Sequence, residues 1–119
     1  INQTNYTFLD AGEKKSISLS DYFEKIKKIE FGELILNSID KDGTAAGFDY
    51  ESISLIPKNF KNPILMMGGA GKPEHLSEAL QKKQVSGVIT ANLFNFLGSG
   101  LSLARKKLIK EKVNVVDFE

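Results

Sequence analysis

A glycine-rich turn and two other strand ends carry whatever chemistry this chain performs. Gly68-Gly69-Ala70-Gly71-Lys72 follows the apolar run Ile64 to Met67 and precedes Pro73. Consecutive glycines let a backbone turn several N–H groups toward one point, and a helix start beside them adds partial positive charge. That is a place to hold a phosphate, or else a tight strand-to-helix turn with no ligand. The stretch is not a Walker loop, because Met66 and Pro73 occupy positions that need Gly and Ser or Thr. Nor is it a dinucleotide fingerprint, since Glu74 holds the third glycine position. The second stretch is Ser38-Ile39-Asp40-Lys41-Asp42-Gly43-Thr44, with Asp49 beyond it. Its spacing brushes a calcium loop, but Ser and Asp stand at the two end positions and the preceding residues read as strand. It is better taken as a strand-end loop whose carboxylates face a pocket, or as a plain Asx turn. The third is the end of the strand Gly87-Val88-Ile89-Thr90-Ala91.

Other single residues have plainer readings. The lone His75 sits in the first turns of a helix, where it reads as a surface residue rather than a base. Lys27-Lys28, Lys82-Lys83 and Lys106-Lys107 read as solvated faces. Phe94 and Phe96 read as core or pocket wall.

The elements that position these loops alternate between strand and helix. Tyr6–Leu9 and Ser16–Leu19 flank the turn residues 10–15, which predicts a β-hairpin. A helix of roughly ten residues starts at Ser20-Asp21, with Phe23, Ile26 and Ile29 at helical spacing. Glu33 to Ile39 reads as a nearly continuous apolar strand, the pattern of one buried on both faces. A short helix from Tyr50 to Ile56 stops before Pro57. Strand 64–67, helix 73–83, strand 87–91, a turn at 93–96 and an amphipathic helix 99–110 follow. The last helix carries Leu101, Leu103, Leu108 and Ile109, and the tail 113–118 is extended. Such alternation argues for a parallel sheet with crossover helices. It fits a doubly wound sheet or part of a (β/α)8 barrel. A complete barrel takes about 250 residues, so these 119 supply about half.

Composition narrows the partners. Net charge is +1, so binding to nucleic acid through charge is not expected. Arg105 is the only arginine, which leaves almost no bidentate phosphate or base recognition. There is no cysteine, hence no disulfide, thiolate metal site or thiol nucleophile. That fits a reducing, cytoplasmic setting. No apolar run reaches membrane-spanning length, so no membrane partner is expected.

These stretches, in this order, resemble the C-terminal half of the cyclase subunit of imidazole glycerol phosphate synthase. The resemblance rests on Gly32 to Thr44, Gly47-Phe48-Asp49, Gly68 to Lys72, Gly87, Phe94-Asn95-Phe96 and Val113-Asn114-Val115. It implies the C-terminal half of a (β/α)8 TIM barrel with a hairpin excursion near the N-terminus. Residues 1–119 would then form one partial domain of a parent about twice as long. It implies ammonia-dependent cyclisation and cleavage of a phosphoribulosyl-formimino ribonucleotide in histidine biosynthesis. No cofactor or metal is implied. The partners implied are a glutaminase subunit and the phosphorylated ribonucleotide.

By the same resemblance, Asp42, Gly43, Gly69, Ala91 and Asn92 line one substrate-phosphate site. Asn37 faces the pocket, and Glu33 joins the charged ring gating an ammonia channel. The family's general acid and base lie on strands this chain lacks, so it holds no catalytic residue and is expected to be inactive alone. It should also self-associate or need the other half. The chain departs from the family pattern at Asn37, Met67 and Asn92. Those departures keep open an ammonia-channelling partner of a surface-sugar amidotransferase. A non-catalytic α/β module is the third reading.

Overall fold

A computed structural model describes residues 5–96 and 100–116. The chain divides into two compact units. One runs to Gly32 and adds Tyr50–Asn62; the other comprises Glu33–Asp49 and the chain from Pro63.

In the first unit, strand β1 (Tyr6–Leu9) pairs antiparallel with β2 (Lys14–Ser18). Asp10, Ala11 and Gly12 turn the chain between them, all at positive φ. β2 passes straight into helix α1 (Leu19–Ile26), because Ser18 caps it: its Oγ accepts from the Asp21 N–H at 3.1 Å. A serine in that position satisfies a helix-end donor that would otherwise be orphaned. The helix therefore starts earlier than the expected Ser20-Asp21, and it ends at Ile26. Leu19, Phe23 and Ile26 are buried, one stripe at i, i+4 and i+7. Ile29 lies past the helix and is 61% exposed, so the expected third anchor of that stripe is not one. Phe23 packs edge-on against Phe60 with centroids 5.2 Å apart, and Phe60 leans on Phe31. The short helix α2 (Tyr50–Ser54) buries Ile53. The Asn5 amide donates to Ser52 Oγ at 3.0 Å, and the Asn62 amide donates to the Phe31 carbonyl at 2.6 Å.

The second unit is a parallel sheet with helices. Strands β3 (Leu34–Asn37), β4 (Ile64–Met67) and β5 (Gly87–Ile89) lie side by side in that order. Asn37 is level with Met67, and Met67 with Ile89. Strand alternation then sorts the two faces. Leu34, Leu36, Ile64, Met66 and Val88 share one; Ile35, Asn37, Leu65, Met67 and Ile89 share the other. Ile64 and Met66 are almost fully buried, whereas Ile35 is 52% exposed. The expectation of a strand buried on both faces over 33–39 is thus corrected: β3 is a four-residue edge strand, half-buried on one face only.

Helices α3 (Pro73–Leu80), α4 (Leu93–Phe96) and α5 (Gly100–Lys110) complete the unit, with α5 packed against α3 and α4. α5 buries Ala104 and Leu108, an i, i+4 pair, and leaves Leu101 and Leu103 more than half exposed. The small alanine admits close helix contact, so the buried face is not the leucine-rich one. Lys107, expected on a solvated face, donates instead to Glu74 Oε1 at 2.6 Å and lies 3.5 Å from Glu111 Oε1. The hydrogen bond from Lys107 is the main reason the Glu74 carboxyl sits below its usual value of 4.5. Glu74 raises the Lys107 ammonium in turn.

Two outcomes follow from this packing. Phe23→Ala should destabilise the first unit by about 3–5 kcal/mol, as for a fully buried aromatic, measured by urea unfolding with circular dichroism. A depressed carboxylate stabilises the fold above its unfolded pKa, and that contribution is lost as pH falls through the folded one. A carbon-detected titration should find the Glu74 midpoint below 4.5, moving up toward that value in Lys107→Met.

Candidate functional site

Parallel strands in level register send their following loops out of one end of the sheet. Here Asn37, Met67 and Ile89 close β3, β4 and β5 at the same height. The loops carrying Asp42-Gly43, Gly68 to Lys72 and Ala91-Asn92 therefore leave from a common edge. Open α/β sheets and barrels alike place ligands at that edge, since loops there converge without disturbing the packed strands. Glu33 immediately precedes Leu34, whose N–H donates to the Pro63 carbonyl at 2.9 Å, so it stands at the opposite end.

The loop after β3 begins by extending the sheet. The Ser38 N–H donates to the Met67 carbonyl at 3.1 Å. Turn bonds then fold it back: Asp42 N–H to Ser38 O at 3.0 Å, and Thr44 N–H to Lys41 O at 3.1 Å. Thr44 Oγ1 also donates to Lys41 O at 2.7 Å and accepts from the Ala46 N–H. Gly43 has φ +74° with open space where a side chain would project, and Asp42 beside it is exposed. The loop ends at buried Gly47, whose N–H donates to the Gly69 carbonyl at 2.8 Å.

That bond brings two backbones unusually close. A methyl placed on Gly69 would lie 2.2 Å from the Gly47 carbonyl oxygen, and Gly69 has φ +99°. One on Gly68 (φ +89°) would meet Ser38 O at 2.6 Å and Asn37 Oδ1 at 2.9 Å. One on Gly71 would strike Ala45 at 2.4 Å. The glycines are thus already required by the packing of one loop on the other. Of the sequence-derived residues, Asn37 turns its amide oxygen toward Gly68, while Ala91 and Asn92 are exposed just before α4. Thr90 Oγ1 accepts from the Leu93 N–H at 3.4 Å, and the Asn95 N–H donates to the Asn92 carbonyl at 3.0 Å.

His75 is the residue that sequence reasoning misplaced. It is buried, and its Nδ1 accepts from the Gly71 N–H at 3.1 Å. A methyl on Gly47 would lie 3.6 Å from both Cδ2 and Nε2 of its ring. The sequence hinted only that Pro73 opens the helix and so puts His75 third in it; that Lys72 makes no side-chain cap bond is seen only in the structure. Side chains at that position commonly reach back to N–H groups ahead of the helix. Phe94 is half-buried, and the side chain of Phe96 lies outside what the structure describes. Among the described residues no group of three or more His, Asp or Glu could hold a metal ion, and no helix is long and apolar enough to cross a membrane.

A profile of the family described as "Histidine biosynthesis protein" matches residues 2–98. The imidazole glycerol phosphate synthase subunit HisF of Buchnera aphidicola is 36% identical over 96 residues, 81% of this chain and 37% of that protein. That of Hydrogenobaculum sp. is 29% identical over 115 residues, 96% of this chain and 46% of that protein. That of Clostridium botulinum is 33% identical over 95 residues, 80% and 38% respectively. The chain spans less than half the length of these relatives.

The loop geometry sets an expectation for paired variants. Gly69→Ala combines a left-handed backbone with a collision and should cost roughly 2–4 kcal/mol. Gly43→Ala carries only the backbone term, about 1 kcal/mol. Thermal unfolding of both, side by side, measures the difference.

Proposed function

Because the chain belongs to the histidine biosynthesis protein family, we propose that it is the C-terminal half of a (β/α)8 cyclase subunit of imidazole glycerol phosphate synthase. In this reading it supplies one substrate-phosphate site, built from Asp42, Gly43, Gly69, Ala91 and Asn92. The observation that carries the reading is the level register of three parallel strand ends, from which those residues' loops all emerge. Exposed Asn92 offers an amide that can donate to a phosphate oxygen. Lys41 and Lys72 in these loops are offset by Asp40 and Asp42, so the reading rests on N–H donors rather than on net charge.

The sheet face of Ile35, Asn37, Leu65, Met67 and Ile89 would line the barrel interior. Glu33 has the same strand parity as Ile35 and Asn37. It suits a gate at the N-terminal end of a channel that takes ammonia from a glutaminase subunit toward Asn37. The half-exposed Ile35 fits a face meant to be covered. Cyclisation needs a general acid and a general base around the substrate. With both on strands outside this chain, the half-site binds without turning over. On this reading the protein would work in the cytoplasm, with its pathway.

Calorimetric titration of the chain with inorganic phosphate and with imidazole glycerol phosphate tests this. Saturable binding is expected, weakened about tenfold or more in Asn92→Asp, where a carboxylate would oppose the anion. Asn92 is exposed, so this variant leaves the loop packing intact, as a Gly69 substitution would not. No turnover of the formimino ribonucleotide with ammonia is expected from the chain alone. Absence of binding by the folded chain would overturn the reading and favour the ammonia-channelling partner of a sugar amidotransferase.

A further inference from the structure

The loop after β4 must hold one conformation if its amides are to present a fixed anion site. Its own glycines work against that, since glycine has the largest backbone freedom to lose. Something outside the glycines has to restrain it. The Gly47–Gly69 bond fixes its first half. Its second half is Gly71 and Lys72, and both meet one residue. The Lys72 carbonyl accepts from the His75 N–H at 3.1 Å, and the Gly71 N–H donates to His75 Nδ1 at 3.1 Å. The other edge of the same buried ring faces Gly47, at the end of the loop after β3, where an added methyl would just reach Cδ2 and Nε2 at 3.6 Å.

We infer that His75 is a positioning residue for the proposed phosphate site: its imidazole clamps the loop after β4 through Nδ1 on Gly71, from a buried seat that faces Gly47 at the end of the loop after β3. The role deepens the phosphate reading and rests on it for the ligand. An N–H donor requires a lone pair on its partner, so Nδ1 is unprotonated and the neutral ring carries its hydrogen on Nε2. The imidazole does not touch the ligand and takes no part in proton transfer. It holds the glycine amides in one arrangement before the anion arrives, so less ordering is required on binding.

Asparagine places Oδ1 where histidine has Nδ1, and glutamine places its oxygen nearer Nε2. His75→Asn should therefore keep the bond to Gly71, while His75→Gln and His75→Leu lose it. Two measurements test the assignment. In the unsubstituted chain, long-range nitrogen–proton spectra should find Nε2 protonated and Nδ1 bare, with a coupling across the hydrogen bond to the Gly71 amide. Phosphate titration of the variants should find His75→Asn close to the unsubstituted affinity. His75→Gln and His75→Leu should be weaker by roughly tenfold, the worth of one buried hydrogen bond. A protonated Nδ1, or no coupling to Gly71, overturns the clamp without any variant needing to fold. So does a His75→Asn affinity as poor as that of His75→Leu. If the unsubstituted chain shows the Gly71 coupling but binds no phosphate, the phosphate reading falls and the clamp stands.

Discussion

The Gly47 amide and the Gly69 carbonyl meet at 2.8 Å, and the arrangement of the second unit's loops depends on that contact. It is possible because Gly69 carries no side chain, whose Cβ would lie 2.2 Å from the Gly47 carbonyl oxygen, and because Gly47 takes a φ of +98°. Once made, it ties the end of the long loop after β3 to the start of the loop after β4. The rest follows by proximity. Gly68 fits under Ser38 and the Asn37 amide, Gly71 fits against Ala45, and the His75 ring faces Gly47 with room for a methyl between them. The sheet sets the height of the strand ends, and the glycines let the loops above them interlock. A ligand site on this edge would therefore be fixed by backbone packing rather than by long side chains. The sequence offers few arginines for the alternative.

The two faces of the sheet divide the labour. Ile64 and Met66 anchor β4 in the core, beneath helices that contribute Leu76, Ala79 and Leu108. The opposite face is partly open, with Ile35 half-exposed. Burial of about 25 cal/mol per Å2 of apolar surface rewards covering such a face. In the proposed half-barrel, that burial would fall to the strands that complete the sheet.

Much of this was legible in the residues. Apolar runs followed by Asp42-Gly43, by Gly68-Gly69 or by Ala91-Asn92 marked the three parallel strands and the ends at which their loops emerge. Other features depend on contacts that a single sequence does not print. Ser18 rather than Ser20 caps α1, because the choice rests on which hydroxyl faces the Asp21 amide. Of the four apolar residues expected on α5, Leu108 is buried, but Leu101 and Leu103 are exposed and Ala104 takes their place, because helix approach favours the small residue. Lys107 looked solvated until α3 brought Glu74 to it. The glycine loop suggested a ligand first, whereas each of Gly68, Gly69 and Gly71 already answers a steric demand from the neighbouring loop. His75 was the costliest miss, since a lone histidine near a helix start looks ordinary until its ring is seen between two loops.

Native-state hydrogen exchange, read amide by amide, addresses the interlocked loops most directly. If the Gly47–Gly69 contact holds the edge together, the Gly47 and Ser38 amides should exchange in the same slow, cooperative class as the strand amides of β4. Exchange of Gly47 at the rate of an exposed loop, with β4 still protected, would mean that the two loops move independently and that no preformed site exists on this edge.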